Sequence, residues 1–239
     1  MLIDSFLYTS QGGREENQDC VGRELNENAG LFVVADGLGG HQKGRLASKT
    51  VVNSLRKAWK EEPFCDADGI LSRIADANQA VLRLQEEQNC NAKSTVVALA
   101  IDGERAVWAH TGDSRLYSFG FWAVHPLTED HSVAYKKYKA GEIRKDEIAK
   151  DEDQSSLLRA LGNENRWNPD IGKADNLKKG TGFLLCSDGF WEYIREEEML
   201  KDFRKAHDSE DWAARMMDRA EPRFGKGNDN FSLITIILR

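Results

Sequence analysis

Cysteine is scarce in this chain. Cys20, Cys65, Cys90 and Cys186 form no CxxC pair and no zinc-type spacing. Few, scattered thiols indicate a reducing setting, so the expected location is cytoplasmic. Cysteine-based phosphate chemistry needs an arginine six positions after the nucleophile, and those positions hold Asn26, Leu71, Val96 and Glu192. No G-x-x-x-x-G-K-[ST] loop occurs, which removes P-loop nucleotide binding. Basic charge is also short: 33 Lys and Arg stand against 40 Asp and Glu, a net charge of −7. A nucleic-acid partner or a nuclease groove would need a basic face, so neither is expected. The balance fits a self-repelling soluble protein, expected as a monomer. No apolar run approaches a membrane span, and the opening MLIDSFLYTSQGG lacks the basic and apolar regions of a signal peptide. No membrane partner is expected. There is no internal repeat and no linker rich in Pro, Gly or Ser.

Hydrophobic residues make up 40% of the 239 positions and charged residues 31%, enough for a sizeable core. Leu31 to Ala35 reads as a buried strand that delivers Asp36 into a turn with Gly37, Gly39 and Gly40. From Gly44 to about Glu62 a helix is expected, with Ala47, Val51, Leu55 and Trp59 on one stripe, ended by Pro63. A second helix starts near Asp66 and carries Ile70, Ile74, Ala77, Val81 and Leu84. Ser94–Ile101 and Glu104–His110 flank Asp102-Gly103, a hairpin signal. Short turns join further strands into an antiparallel meander rather than a βαβ series. Residues 128–169 are charged and read as a solvated helical insert. Gly180–Ser187 is a buried strand ending on Asp188, helix returns from Glu196 to about Arg223, and a last strand follows Asp229. Helices in pairs between blocks of strands predict an α+β sandwich, with helices outside two sheets.

An acid beside a small or turn-forming residue recurs at the ends of these strands. Asp36, Asp188, Asp113, Asp229 and Asp19 share the pattern. One such acid could simply cap a helix. Several, offering carboxylate and carbonyl oxygens without Cys or His ligands, suit hard divalent cations, Mg²⁺ or Mn²⁺. A site of two or more such ions clamps the oxygens of an in-line phosphoryl displacement. Arg14, on the same early loop as Asp19, offers a fork for phosphate oxygens. A solvated connection is the plainer reading of that loop.

The segments GGREENQD, VVADGLGGHQKGRLAS, AHTGDSRLY, LTEDHS, SLLRALG, FLLCSDGFWEYI and NDNFSLITI stand in the order and spacing of the metal-dependent Ser/Thr phosphatases of type 2C. The resemblance covers essentially the whole chain and favours the bacterial branch of that PPM family. It implies a four-layer α-β-β-α sandwich, two central antiparallel sheets flanked by helix pairs, in a single domain over 1–239 with a flap at about 128–169. It also implies two or three Mn²⁺ or Mg²⁺ ions, and hydrolysis of phosphoserine and phosphothreonine by direct attack of a metal-bound hydroxide. Substrates would be phosphoproteins, made by a cognate Ser/Thr kinase in a signalling pair.

Carried over by position, Asp36 would bridge two cations, with the carbonyl of Gly37 on the second. Asp188 and Asp229 would hold the first, and Asp113 with Asp188 a third. Asp19 would orient a metal-bound water, Arg14 would hold the substrate phosphate, and Asn230 would support its loop. The sequence departs from the family pattern at Gln18, where a glutamate is frequent, and at Leu38, where animal members carry histidine. Arg45 and Lys93-Ser94-Thr95 are further departures, and His41 reads as a helix-start hydrogen bond. Gln18 favours one alternative: a pseudophosphatase that binds phosphoproteins without turnover.

Overall fold

The computed structural model describes residues 1–39 and 42–239. His41, with Gly40, lies outside the described residues. The chain runs β1 (Ile3–Ser10), β2 (Asp19–Leu25), β3 (Ala29–Leu38), α1 (Gln42–Glu61), α2 (Ala67–Gln88), β4 (Lys93–Ser94), β5 (Val96–Asp102) and β6 (Arg105–Thr111). It continues as β7 (Arg115–Phe119), β8 (Val124–Pro126), α3 (Val133–Lys139), β9 (Asp170–Ala174), β10 (Gly182–Cys186), α4 (Asp188–Trp191), α5 (Glu196–Phe203), α6 (Ser209–Ala220) and β11 (Phe231–Leu238). One sheet has the order β1-β11-β10-β7-β8, the other β2-β3-β5-β6-β9 with β4 on β3, and every pairing is antiparallel.

Alternation along the strands explains the layering. In β3, Leu31, Val33 and Ala35 face α1 and α2, packing on Val51, Leu55, Trp59, Ile70 and Ile74. Phe32 and Val34 point the other way, into a core between the sheets with Leu99, Phe183, Leu185, Ile234 and Ile236. The opposite faces of β10 and β11, through Leu184 and Leu233, meet Met199, Trp212 and Met216 of α5 and α6. Strands buried on both faces read as continuous apolar runs, as FSLITIIL does. Three apolar layers between four structural layers make the expected α-β-β-α sandwich.

Several local expectations need correction. α1 begins at Gln42 rather than Gly44. In the β5–β6 hairpin Asp102 pairs with Arg105, so the two-residue loop is Gly103-Glu104, with Gly103 at φ +60°. Asp36 is not in a turn, because β3 runs on to Leu38 where Gly37 and Leu38 pair with β4. The helical stretch after Glu196 breaks between Phe203 and Ser209, where Asp208 accepts from the Asp211 N–H and caps a new helix.

The insert departs most. Within 128–169 the only helical turns among the described residues are α3 and a 3₁₀ turn at Lys145–Lys150. Ala134 and Ile148 lie in the core under α5 and α6, and Leu161 lies in the core under α1 and α2. Asp130 is buried against Arg115, with bonds of 2.8 and 2.6 Å. The segment is therefore keyed into both cores, not a merely solvated layer on them.

Candidate active site

All the sequence-predicted acids gather at one end of the sandwich. Asp19 opens β2 and lies directly opposite Asp36 in the β2–β3 ladder. Asp113 follows β6, Asp188 follows β10, and Asp229 precedes β11. The backbone of Asp36 is held by Ser94 and Thr95, in the Lys93-Ser94-Thr95 stretch that departs from the family pattern. Its N–H donates to Thr95 Oγ1 at 2.8 Å, and its carbonyl accepts from Ser94 Oγ at 3.0 Å and from the Thr95 N–H at 2.8 Å. Gly37 must be glycine, since a Cβ there would sit 2.0 Å from the carbonyl oxygen of Gly44. Gly189 is under the same constraint, 2.1 Å from the carbonyl oxygen of Asn230.

The surrounding bonds orient the carboxylates. Ser187 Oγ donates to Asp19 Oδ2 at 2.7 Å, and Gly189 N–H to Asp188 Oδ1 at 2.7 Å. Asn230 ties the early loop to the last strand. Its amide donates to the carbonyls of Gln11 and Glu16, and its Oδ1 accepts from the Gln18 N–H at 2.8 Å. Arg14 reaches the same place, but its guanidinium grips Asp229, Nε to Oδ1 at 3.0 Å and Nη2 to Oδ2 at 2.7 Å.

Crowding of like charge out of water raises the proton affinities of Asp19, Asp36, Asp113 and Asp188. Burial, then the charges of Asp19, Asp188, Asp113 and Asp229, pushes Asp36 well above the usual carboxylate range. Burial and then Asp188 do the same for Asp113. Burial first brings Asp19 up to about 7, and burial with Asp229 brings Asp188 up to about 6. Asp19 Oδ1 is buried without a hydrogen-bond partner. A buried group of acids that repel one another, with an orphaned carboxylate oxygen and only hard donors, fits divalent cations.

Two residues of the site were not read from the sequence. Glu192, four residues after Asp188, is pushed up to about 8 by burial and then by Asp188 and Asp229. The i, i+4 spacing on a helix start was the signal that could have found it. Gln154, from the insert, donates to Asp188 Oδ2 at 3.3 Å. No local pattern marks it, because the contact joins residues far apart in sequence.

The model of the protein phosphatase 2C family matches residues 11–229. The serine/threonine phosphatase stp of Listeria welshimeri is 33% identical over 231 residues, covering 93% of this chain and 90% of that protein. Protein phosphatase PhpP of Streptococcus pneumoniae is 32% identical over 205 residues, 82% of each chain. The solved structure of the S. agalactiae serine/threonine phosphatase superposes with a TM-score of 0.89 at 27% identity, covering 100% of both chains. With its seven motifs, its paired sheets and its acid cluster, the chain belongs to the protein phosphatase 2C family.

Proposed function

We infer that this chain is a divalent-metal-dependent phosphatase acting on phosphoserine and phosphothreonine in phosphoproteins. The observation that carries the reading is the buried cluster of carboxylates, with an arginine fork at its rim. Asp36, the carbonyl of Gly37, Asp188 and Asp229 would hold two cations, and Asp113 with Asp188 a third. When bound, Mn²⁺ or Mg²⁺ supplies a Lewis acid and makes water acidic enough to ionise near neutral pH.

The chain's own groups do the positioning. Ser187 fixes Oδ2 of Asp19, which leaves Oδ1 to accept a hydrogen bond from the attacking water. Arg14 presents two N–H groups in the plane that a phosphate can take, once Asp229 is claimed by a cation. The sequence offers no histidine for a general acid at Leu38. Residues 1–239 would work as one catalytic domain, with 128–169 as its flap. We place the protein in a reducing cytoplasm, where its four free cysteines stay reduced, as a monomer opposing a Ser/Thr kinase.

The deciding experiment is p-nitrophenyl phosphate and phosphopeptide hydrolysis with Mn²⁺ or Mg²⁺, with and without chelator. Turnover that chelator abolishes supports the enzyme. A folded protein that binds phosphopeptide but shows no metal-dependent turnover would make it the phosphoprotein-binding module that Gln18 suggests.

A further inference from the structure

A second cavity, of about 660 Å³, lies between α3 and the loop that leads into β9. Lys136, Arg159 and Arg166 line it together with the amides of Asn165 and Asn168. Its acids are already engaged: Asp130 by Arg115, and Asp170 by Arg159 at 2.8 Å and His131 at 3.1 Å. Lys136 and Arg166, both exposed, have no ion pair among the described residues.

His131 and Asp170 in its wall and the buried His110 bring their ligand atoms within 4.8 Å of one another, as a metal site would. The hydrogen bonds argue against a metal. His131 Nδ1 accepts the Gly112 N–H at 3.2 Å, so Nε2 carries the proton and faces Asp170 Oδ2. Arg159 Nη1 already sits 3.2 Å from that Nε2 and supplies the cation. What remains open toward the cavity is positive charge and amide donors, which suits a dianionic oxyanion.

The cavity is also near the acid cluster. His131 bonds Gly112, the residue before Asp113. Gln154 reaches Asp188, and Arg159 follows five residues later, so the two α-carbons are at most ~18 Å apart. A peptide of about five or six extended residues covers that distance. We propose that this cavity docks a second phosphorylated residue of the substrate, within about five or six residues of the one being hydrolysed. The proposal rests on the phosphatase reading above and names the substrate class: multiply phosphorylated segments.

The test uses phosphothreonine peptides with Mn²⁺. One carries a single phosphate. The others carry a non-hydrolysable phosphonate analogue of phosphoserine five residues away, on either side, or two residues away. At least one of these spacings should lower KM by about tenfold against the single phosphate, the worth of a charge-assisted pair. The double variant Lys136→Ala, Arg166→Ala should raise that KM to the single-phosphate value. It should leave kcat, p-nitrophenyl phosphate turnover and the single-phosphate peptide unchanged, and Arg166→Lys should keep most of the preference. Equal KM for all peptides in the wild-type protein overturns the proposal. So does a double variant that slows every substrate alike. No turnover of p-nitrophenyl phosphate at all sinks the phosphatase reading itself, whereas no preference for the second phosphate with intact turnover sinks only the docking site.

Discussion

Arg14 and Asp229 meet as a planar fork on a carboxylate, with both bonds between 2.7 and 3.0 Å, although the residues are 215 positions apart. The pair crosses from the loop after β1 to the loop before β11, so it closes the rim of the acid cluster. On the proposed roles, a cation that took Asp229 would free the guanidinium for a phosphate.

Both side chains are about half exposed, so the pair contributes little to stability. Arg14→Ala should leave the melting temperature nearly unchanged and lower kcat/KM by about tenfold or more, mainly through KM. Arg14→Lys should not restore it, since an ammonium cannot present two coplanar donors. Steady-state kinetics on p-nitrophenyl phosphate decide this. Unchanged constants would return Arg14 to a solvated loop.

At Asp36, burial and four neighbouring acids all oppose the charge. Asp36→Asn should therefore do two opposite things. Turnover at saturating Mn²⁺ should fall below about a tenth, a barrier increase above ~1.4 kcal/mol. The chelated protein should instead melt higher, by ~2–4 °C for each kcal/mol of relieved repulsion. Calorimetry in chelator separates a ligand role from a fold role. A lower melting temperature there would mean that Asp36 is structural.

The same crowding gives chelated protein an unusual pH profile. Asp19 near 7 and Asp188 near 6 hold protons in the folded state that the unfolded chain releases near 4. Between those values the folded state binds more protons, so stability is present on the acidic side and lost as pH rises through 6 to 7. His131, held down to about 4 by burial and then His110, works in the opposite direction below about 6.5. Comparing pH 8.0 with pH 6.5 avoids most of that term. The chelated protein should melt higher at pH 6.5. With Mn²⁺ present the order should reverse, because protons then compete with the cation for the same oxygens. The same ordering with and without metal would remove the linkage.

Asp36 and Asp188 were legible because each sits where an apolar run with strand character stops, and Asp19 and Asp229 because each stands just before a strand. The two long helices were legible from their stripes, and Asp66 does cap the second by accepting the Gly69 N–H at 2.8 Å. What the local pattern could not show is pairing over distance. β1 against β11 joins the two ends of the chain, and β9 is a short, mostly exposed edge strand with no apolar alternation. The insert was misread for a related reason. A run of charges normally means solvent, but Asp130 is buried against Arg115 at the start of β7, and nothing in LTEDHS by itself says so.

That pair supports the last prediction. Arg115 is bidentate on Asp130 with side-chain exposures of 12% and 1%, and its guanidinium lies 3.4 Å over the ring of Trp191. Trp191 Nε1 in turn donates to the carbonyl of Asp113 at 3.0 Å. Burial works against the Arg115 charge, and Asp130 more than restores it, so the guanidinium stays charged in the core. Arg115→Met leaves Asp130 as an uncompensated buried anion and should cost about 3–5 kcal/mol, a fall in melting temperature on the order of 10 °C. Arg115→Met with Asp130→Leu removes both charges and should recover much of that loss, which a double-mutant cycle would show as strong coupling. Because the stack positions Trp191 against Asp113, the single variant should also need more Mn²⁺ for half-maximal activity. A loss below about 1 kcal/mol, with an unchanged metal titration, would mean that the insert is not anchored through this pair.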